Sequence, residues 1–130
     1  MIFGVGIDIE KKDRLRKALE HNERAFLKYV FTPREVSFAR RQGDMVSHLT
    51  AIFSAKEAVI KTVGTGWKGG VRLTDIEIRH DAYGKPEVVL SGNLQGIAVS
   101  RHITTIMVSL SYEDTYAVSY AVALTGQEHA

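Results

Sequence analysis

The sequence predicts one α+β domain over residues 1–130, and two observations carry this prediction. Segments typical of helices fill most of the first half of the chain, whereas segments typical of strands occupy the N-terminus and most of the second half. Short turns separate the later strands, which favours a mostly antiparallel sheet. With 130 residues, of which 45% are apolar, the chain can close a single hydrophobic core. The expected order is strand, three helices, two strands, helix and two strands.

The first part of the chain predicts a strand followed by helices. Residues 1–8 alternate glycine with β-branched and aromatic residues and stop at Asp8, which indicates a buried strand that ends in a functional or capping carboxylate. Residues 10–30 are rich in Lys, Arg, Glu, Leu and Ala, so we expect one or two helices there. Thr32-Pro33-Arg34-Glu35 has the pattern of a capping box, and it predicts a short helix that ends at Gly43.

The clearest predicted element is a helix that starts near Asp44 or Ser47 and runs without glycine or proline to Gly64-Thr65-Gly66. After it we expect strands over 74–78 and 87–90 around a turn at 81–86. Asn93 is expected to cap a short helix that ends near residue 100. Two closing strands, 105–112 and 116–124, flank a charged turn at 113–115.

Composition restricts the chemistry that the chain can perform. It contains no cysteine, which excludes disulfides, thiolate zinc sites and cysteine nucleophiles. The apolar start is too short for a signal peptide and lacks a basic leader, and no apolar run reaches membrane-spanning length. We therefore expect a soluble, cytoplasmic protein with no membrane partner.

Basic residues are concentrated in two segments, although the net charge is only +2. These residues are Lys11, Lys12, Arg14, Arg16 and Lys17 in one segment and Arg34, Arg40 and Arg41 in the other. Such clusters favour an acidic partner or phosphates, and a solvated helix face is the alternative. A nucleic-acid-binding module is disfavoured because the cluster lacks interleaved aromatic residues.

The helix over residues 49–63 carries a lysine among apolar residues. On a wheel of about 100° per residue, one face collects Leu49, Ile52, Phe53, Val59, Ile60 and Val63. Lys56 falls near the middle of this face, where an unpaired ammonium would cost several kcal/mol. Two interpretations are open: the stem packs while the charged head reaches water, or the head has a functional role.

A carboxylate and a second lysine lie on the same helix. Glu57 and Lys61 are four residues apart, so an ordinary surface ion pair is one interpretation. The other interpretation is a functional site. It follows from the nearby Gly64-Thr65-Gly66 break and from a second carboxylate, Asp8, on the first strand. Mg²⁺ commonly takes one or two carboxylates plus substrate phosphates, while lysines and glycine-loop amides hold phosphate charge. The combination suggests phosphoryl transfer.

Five motifs in register resemble the holo-acyl-carrier-protein synthase family of 4′-phosphopantetheinyl transferases. They extend over nearly the whole chain and are Gly4-Val5-Gly6-Ile7-Asp8-Ile9, Phe53-Ser54-Ala55-Lys56-Glu57-Ala58 with Lys61, Gly64-Thr65-Gly66, Asp75-Ile76-Glu77-Ile78 and Gly84-Lys85-Pro86. The resemblance implies the 4′-phosphopantetheinyl transferase-like α+β fold and a homotrimer with active sites between subunits. It also implies transfer of the phosphopantetheine arm of coenzyme A to a serine of an acyl carrier protein, with release of adenosine 3′,5′-bisphosphate.

The resemblance also implies roles for individual residues. Asp8 and Glu57 match the Mg²⁺ ligands, and Glu57 or a water held by the metal matches the base for the acceptor serine. The catalytic positions are Asp8, Glu57 and Lys61. The positions that match coenzyme-binding residues are Lys56, Lys61, Gly64, Thr65, Gly66, Gly84, Lys85 and Pro86. Arg14 matches a position that meets the acidic carrier protein.

Three positions depart from the family pattern. Ile52 stands where the family usually has arginine, Met107 where it usually has histidine, and Tyr112 replaces a common second histidine. The arginine and the first histidine lie near the coenzyme A phosphates in the family, so their loss predicts only a weak preference for coenzyme A over dephospho-coenzyme A. The alternative function is a catalytically weak relative that binds coenzyme A or carrier protein without efficient transfer.

The histidines of the chain offer no obvious replacement. His102 is an odd number of residues from Met107, which predicts a different face of the strand. The others, His21, His48, His80 and His129, show no metal-ligand spacing and are expected to be surface or packing residues.

Overall fold

The computed structural model describes residues 1–126, and its elements follow the predicted order. The helices are α1 (Lys12–Val30), α2 (Pro33–Arg41), α3 (Met45–Val63) and α4 (Gly92–Ser100). The strands are β1 (Ile2–Lys11), β2 (Ile76–His80), β3 (Pro86–Leu90), β4 (Ile103–Tyr112) and β5 (Tyr116–Thr125). A 3-10 turn, Leu73–Asp75, precedes β2 and was not predicted. His129 lies outside the described residues.

The sheets are antiparallel, which confirms the predicted α+β class. β1, β5 and β4 form one sheet in that order, and β2 pairs with β3 in a separate hairpin. Glu113 closes the predicted charged turn, since its Oε1 accepts the N–H groups of Thr115 and Tyr116 at 2.7 and 2.6 Å. Within residues 1–126, none of the helices has the length and apolar character that a membrane crossing requires.

Local sequence signals account for the helix ends. The predicted capping box is confirmed: Thr32 Oγ1 accepts the N–H of Glu35 at 3.3 Å, and Glu35 Oε1 accepts the N–H of Thr32 at 2.9 Å. Asp44 caps α3, and Gly64 ends it in the left-handed conformation at φ +85°. α1 is interrupted at Asn22, whose φ of −160° is not helical. The segment that was predicted as one or two helices therefore contains two helical parts.

Two element ends differ from the prediction. β1 does not stop at Asp8 but continues to Lys11, because its pairing with β5 extends that far. Ser91, rather than Asn93, precedes α4, and the Asn93 amide instead donates to the carbonyl of Gly69 at 3.0 Å.

α3 packs between the three-stranded sheet and the other helices. The apolar face predicted for it is buried, apart from the half-buried Phe53, but so are polar positions on its other sides, including Thr50, Ser54 and Thr62. The physical reason is that a helix covered on several sides must be apolar or small nearly all round. The sequence predicted one buried face, whereas the structure buries nearly the whole of α3.

Glycines in β1 let α3 approach the sheet closely. A Cβ on Gly6 would lie 2.2 Å from the carbonyl oxygen of Ala58, and one on Gly4 would lie 2.4 Å from that of Thr62. Both distances are far inside van der Waals contact, so only glycine fits at these positions. Asp8, the next residue on the same strand face, consequently lies directly beside α3.

Candidate functional site

Asp8 is the best-defined side chain of the candidate site. It is 10% exposed, and its Oδ1 lies 3.3 Å from the Nζ of Lys61. Its Oδ2 is buried and accepts no hydrogen bond from an N–H or hydroxyl group among residues 1–126, and a protonated Glu10 carboxyl is close enough to donate to Asp8. A buried carboxylate oxygen without a partner is costly. This oxygen is therefore available to a cation.

Two serines hold the backbone of Asp8 against α3. Ser54 on α3 donates its hydroxyl to the Asp8 carbonyl at 3.1 Å, and its Oγ lies 2.8 Å from the Oγ of Ser119 on β5. Because the serines are buried, these bonds are protected from water. The strand position that carries the carboxylate is thus tied to two neighbouring elements.

Lys61 connects β1 with α3. Its Nζ donates to the Ile7 carbonyl at 2.8 Å and to the Asp8 carboxylate at 3.3 Å. The ordinary ion pair with Glu57 that one interpretation expected is not present in the described part of the chain. Since the side chain is 52% exposed, its ammonium can still bind a ligand that approaches from solvent.

Glu57 and a residue that the sequence analysis missed, Glu10, place two further carboxylates near Asp8. Burial, and then the charge of Asp8, raise the pKa of Glu57. Burial, the adjacent Asp8 and the charge of Glu57 together raise the pKa of Glu10 to about 7, while Arg14 opposes this shift. Glu10 follows Asp8 by two residues on one strand, and this spacing is the signal that could have identified it. The excess of negative charge favours a cation here.

A divalent metal fits Asp8 and Glu57. Residues 1–126 contain no group of three or more His, Asp or Glu side chains that could hold a metal ion by itself. A metal at this site therefore needs oxygens from a substrate or from water, which is how Mg²⁺ is usually bound. The unpartnered Oδ2 of Asp8 suits such an ion.

The loop of Gly64, Thr65 and Gly66 follows Lys61 by less than one turn. Arg101 supports this loop by donating to the Val63 carbonyl at the end of α3. A Cβ on Gly64 would lie 3.5 Å from the Arg101 guanidinium. Arg101 thus adds a cation beside the predicted phosphate loop, and no motif in the sequence marks it.

A pocket of 920 Å³ opens beside Glu57. Tyr29, Phe53 and Trp67 supply aromatic walls, and Lys28 adds a cation. An extended ligand that is partly apolar and partly anionic can lie here, next to the carboxylates.

Lys56 does not belong to the site, and its expected role in coenzyme binding is wrong. The side chain is fully buried, and its Nζ lies 2.6 Å from Glu35 Oε1. The same nitrogen donates to the carbonyls of Val30 and Leu73 at 2.8 and 3.1 Å. An ammonium has three donors, and all three are used inside the core. The head therefore reaches neither water nor a ligand.

The predicted coenzyme-binding turn does not line the pocket beside the acidic cluster of Asp8, Glu10 and Glu57. Gly84, Lys85 and Pro86 join β2 to β3, and none of them lines the pocket beside Glu57. Gly84 instead lines a second pocket, together with residues of α2, α3 and β4. The structure thus brings Asp8, Glu57 and Lys61 together but places Gly84 elsewhere on the same chain.

Two of the three departures from the family pattern, Ile52 and Tyr112, line the pocket that contains Gly84. Ile52 is 1% exposed and belongs to the core, whereas Met107 is 51% exposed on the outer face of the sheet. Tyr112 packs edge to face on His48, and the Nζ of Lys12 lies 4.7 Å from its ring centre. None of these residues lines the pocket beside Glu57.

The chain is similar to known proteins over nearly its whole length. The family model described as the 4′-phosphopantetheinyl transferase superfamily matches residues 4–124. A holo-[acyl-carrier-protein] synthase of Caldanaerobacter subterraneus subsp. tengcongensis is 44% identical over 123 residues, which cover 95% of each chain. The crystal structure of holo-[acyl-carrier-protein] synthase from Neisseria meningitidis has a TM-score of 0.88 at 34% identity, covering 96% of this chain and 100% of that one.

A second solved structure carries a ligand. The holo-(acyl-carrier-protein) synthase from Bacillus anthracis str. Ames, in complex with CoA (3′,5′-ADP), has a TM-score of 0.79 at 30% identity, covering 97% of this chain and 99% of that one. The match of the family model extends over nearly all of the chain, and the curated relative matches over almost its whole length. The chain therefore belongs to the holo-[acyl-carrier-protein] synthase family of the 4′-phosphopantetheinyl transferase superfamily.

Proposed function

We propose that this enzyme transfers the 4′-phosphopantetheine group of coenzyme A to a serine of an apo acyl carrier protein. The reaction depends on Mg²⁺ and releases adenosine 3′,5′-bisphosphate. The observation that carries the proposal is the juxtaposition of Asp8, Glu57 and Lys61 where β1 meets α3. The relative from Bacillus anthracis, whose structure contains CoA (3′,5′-ADP), supports coenzyme A as the donor.

Each of the three side chains has a distinct task. Asp8 and Glu57 would hold Mg²⁺, and the unpartnered Oδ2 of Asp8 suits this role. Bound there, the ion would supply positive charge that offsets charge on the phosphate oxygens of coenzyme A. Lys61 binds a phosphate oxygen and, with the amides of the Gly64 to Gly66 loop, keeps the reacting phosphorus in line with the acceptor hydroxyl.

Glu57 is the proposed base. Burial and the neighbouring Asp8 raise the pKa of this carboxyl while no cation is bound, and Lys61 opposes the shift. As Glu57 takes the proton of the acceptor serine, the serine oxygen forms a bond to phosphorus. The bond from phosphorus to the bridging pyrophosphate oxygen breaks, and adenosine 3′,5′-bisphosphate leaves with that oxygen.

The carrier protein is proposed to dock at the start of α1. Arg16 and Lys17 are paired with Asp13, whereas Arg14 has no salt bridge within 4.0 Å among residues 1–126. Arg14 is also close enough to Glu10 to lower its pKa. An acidic partner bound to this arginine would therefore bring its serine towards the acidic cluster.

We also propose a homotrimer whose sites are completed between subunits. The outer face of the sheet exposes apolar side chains: Val5 by 53%, Ile7 and Ile9 by 62%, Met107 by 51% and Tyr120 by 46%. A continuous apolar face of this kind marks an interaction surface. A neighbour packed on it can supply the Gly84 turn that lies apart from Glu57 within one chain.

The transfer reaction is tested by intact-mass measurement of an apo carrier protein after incubation with coenzyme A and Mg²⁺. We expect the carrier to gain the mass of one phosphopantetheine group, and we expect a chelator to prevent this gain. A second candidate function is that of a catalytically weak relative. It is suggested by the absence of Arg and His at positions 52 and 107. That relative would bind coenzyme A in calorimetry and leave the carrier mass unchanged.

The oligomer is tested by light scattering of Ile7→Glu, with Val99→Glu as the matched control. Val99 is 66% exposed but lies on α4 and not on the sheet face. We expect the first variant to become monomeric and lose transfer activity, and the control to remain a trimer. A native protein that is monomeric and fully active would contradict the shared site.

A further inference from the structure

A groove of 830 Å³ lies between the second half of α1 and α2. This helix groove has an apolar lining, which consists of Leu27, Phe31, Pro33 and Val36. It also has four cations, which are Arg24 and Lys28 on α1 and Arg40 and Arg41 on α2. None of the proposed catalytic residues lines it, so the helix groove is separate from the acidic cluster. Its size is that of a site for a small molecule.

The apolar and cationic residues occupy different parts of the helix groove. A two-residue connection joins the helices, and Phe31 and Leu27 beside it are only 2% and 7% exposed. Arg24 precedes Phe31 by seven positions, and Arg40 follows Pro33 by seven. At about 1.5 Å per residue, each arginine is about 10 Å along its helix from the connection. The helix groove therefore runs from a recessed apolar floor to a cationic end.

No carboxylate neutralises the charges at the cationic end. Arg24, Arg40 and Arg41 make no salt bridge within 4.0 Å among residues 1–126. The guanidinium of Arg41 donates to the hydroxyl of Ser37 at 2.8 Å. Glu23, the acidic residue in the lining, also makes no salt bridge in the described part of the chain. Since like charges repel, an anion bound among the arginines would stabilise the fold.

The position of Arg24 is not explained by the helix that carries it. Asn22 interrupts α1, and its Oδ1 accepts the N–H of Ala25 at 3.1 Å, so Arg24 lies in the first turn of the second helical part. The positive end of the helix dipole favours an acidic residue in this turn and disfavours a cation. Glu23 agrees with this preference, whereas Arg24 opposes it. The arginine therefore lacks a stabilising partner in its own helix, and an external anion would supply one.

We propose that the helix groove binds an anionic amphiphile with a single alkyl chain, such as a fatty acid. The chain lies on Leu27, Phe31 and Val36, and the anionic group accepts hydrogen bonds from Arg24 and Arg40. A flat membrane surface fits less well, because it cannot reach a floor that is recessed between two helices. A helix of a partner protein also fits less well, since about 10 Å accommodates only about two helical turns. The inference is independent of the proposed transfer reaction.

Isothermal titration calorimetry with octanoate, octan-1-ol and butyrate tests the two parts of the ligand separately. A charge-assisted hydrogen bond is worth about tenfold or more in affinity, so octanoate should bind at least about tenfold more tightly than octan-1-ol. Each fully buried methylene is worth about fourfold, so octanoate should also bind at least about tenfold more tightly than butyrate. Equal affinities for octanoate and octan-1-ol, or for octanoate and butyrate, would overturn the proposal.

Arg24→Gln and Arg40→Gln each remove one cation of the helix groove, and Arg34→Gln is their matched control. Arg34 lies on α2 with a side chain that is 63% exposed, but it does not line the helix groove. The first two variants should each weaken octanoate at least about fivefold and leave octan-1-ol unchanged, while the control should change neither. Arg24→Gln should also keep or raise the melting temperature, because it removes a charge that the helix dipole disfavours. A lower melting temperature with weaker binding of both ligands would mean that the arginines are structural, and it would overturn the proposal.

An acidic carrier protein is the competing occupant of the helix groove. If Arg24→Gln and Arg40→Gln weakened the binding of apo carrier protein but left the affinity for octanoate unchanged, the groove would be a protein-docking surface and the proposal would be wrong. None of these binding measurements requires phosphopantetheine transfer. A failure of the proposed transfer reaction would therefore leave the result for the helix groove unaffected.

Discussion

Replacing Lys56 with methionine tests whether the buried ion pair stabilises the helix that carries Glu57 and Lys61. Lys56 and Glu35 have fully buried side chains, with Nζ and Oε1 2.6 Å apart. Methionine has a similar length and shape, so Lys56→Met removes the charge and its donors with little change in volume. It leaves the Glu35 carboxylate in the core without its counter-charge.

The expected loss is large for a single substitution. Removing one partner of a buried ion pair typically costs about 3–5 kcal/mol in the free energy of unfolding. For a domain of this size that loss lowers the melting temperature by about 10–20 °C. We expect the lower part of the free-energy range, because Glu35 still accepts the N–H groups of Thr32 and Ile78 at 2.9 and 2.8 Å.

The loss of stability in each variant should change with pH in a definite direction. Burial raises the pKa of Glu35, and the Lys56 charge opposes this. Without the lysine, the folded state holds the Glu35 proton more tightly than the unfolded state, so stability falls as pH rises and the deficit shrinks in acid. Burial lowers the pKa of Lys56. In Glu35→Gln the folded state therefore binds fewer protons than the unfolded state, and the deficit shrinks as pH rises.

Urea unfolding followed by circular dichroism, from mildly acidic to mildly alkaline pH, measures both variants. Lys61→Met is the matched control, because it changes the same residue type on the same helix at a side chain that is 52% exposed. We expect this control to lose less than about 1 kcal/mol. The reasoning would be refuted if Lys56→Met were as stable as the control. It would also be refuted if the stability deficits of Lys56→Met and Glu35→Gln changed with pH in the same direction.

Three further predictions concern the site and its support. Asp8→Ala and Glu57→Ala should each abolish most transfer in the carrier mass assay while far-UV circular dichroism stays native, and undiminished turnover in either variant would remove that residue from the site. Arg14→Glu should raise the apparent KM for carrier protein much more than that for coenzyme A, with the difference shrinking in salt, and equal changes in both would place Arg14 elsewhere. Gly6→Ala should destabilise the fold by about 1–3 kcal/mol or more, because the added Cβ meets a backbone oxygen at 2.2 Å. Gly96→Ala, whose Cβ meets nothing within 4 Å, is its control in urea unfolding and should not lose stability.

Local signals in the sequence were sufficient for the order of elements and for most helix ends. The Thr32 and Glu35 capping box and the left-handed Gly64 act within a few residues, so the pattern alone identifies them. Asp8, Glu57 and Lys61 were also named in advance, because the motifs that carry them resemble a known family. The structure brings two of them together, since Lys61 pairs with Asp8 across β1 and α3.

The tertiary structure decided which charged residues reach solvent and which lie in the core. Glu35 looked like a helix cap and Lys56 like a candidate ligand, yet they pair 2.6 Å apart across 21 positions of sequence. Glu10 joins the acidic cluster, and Arg41 and His48 converge on one pocket, through packing that no local pattern encodes. The physical reason is that periodicity reports the face on which a side chain lies. The element that covers that face, and hence the partner that a charge meets, follows only from the packing of distant segments.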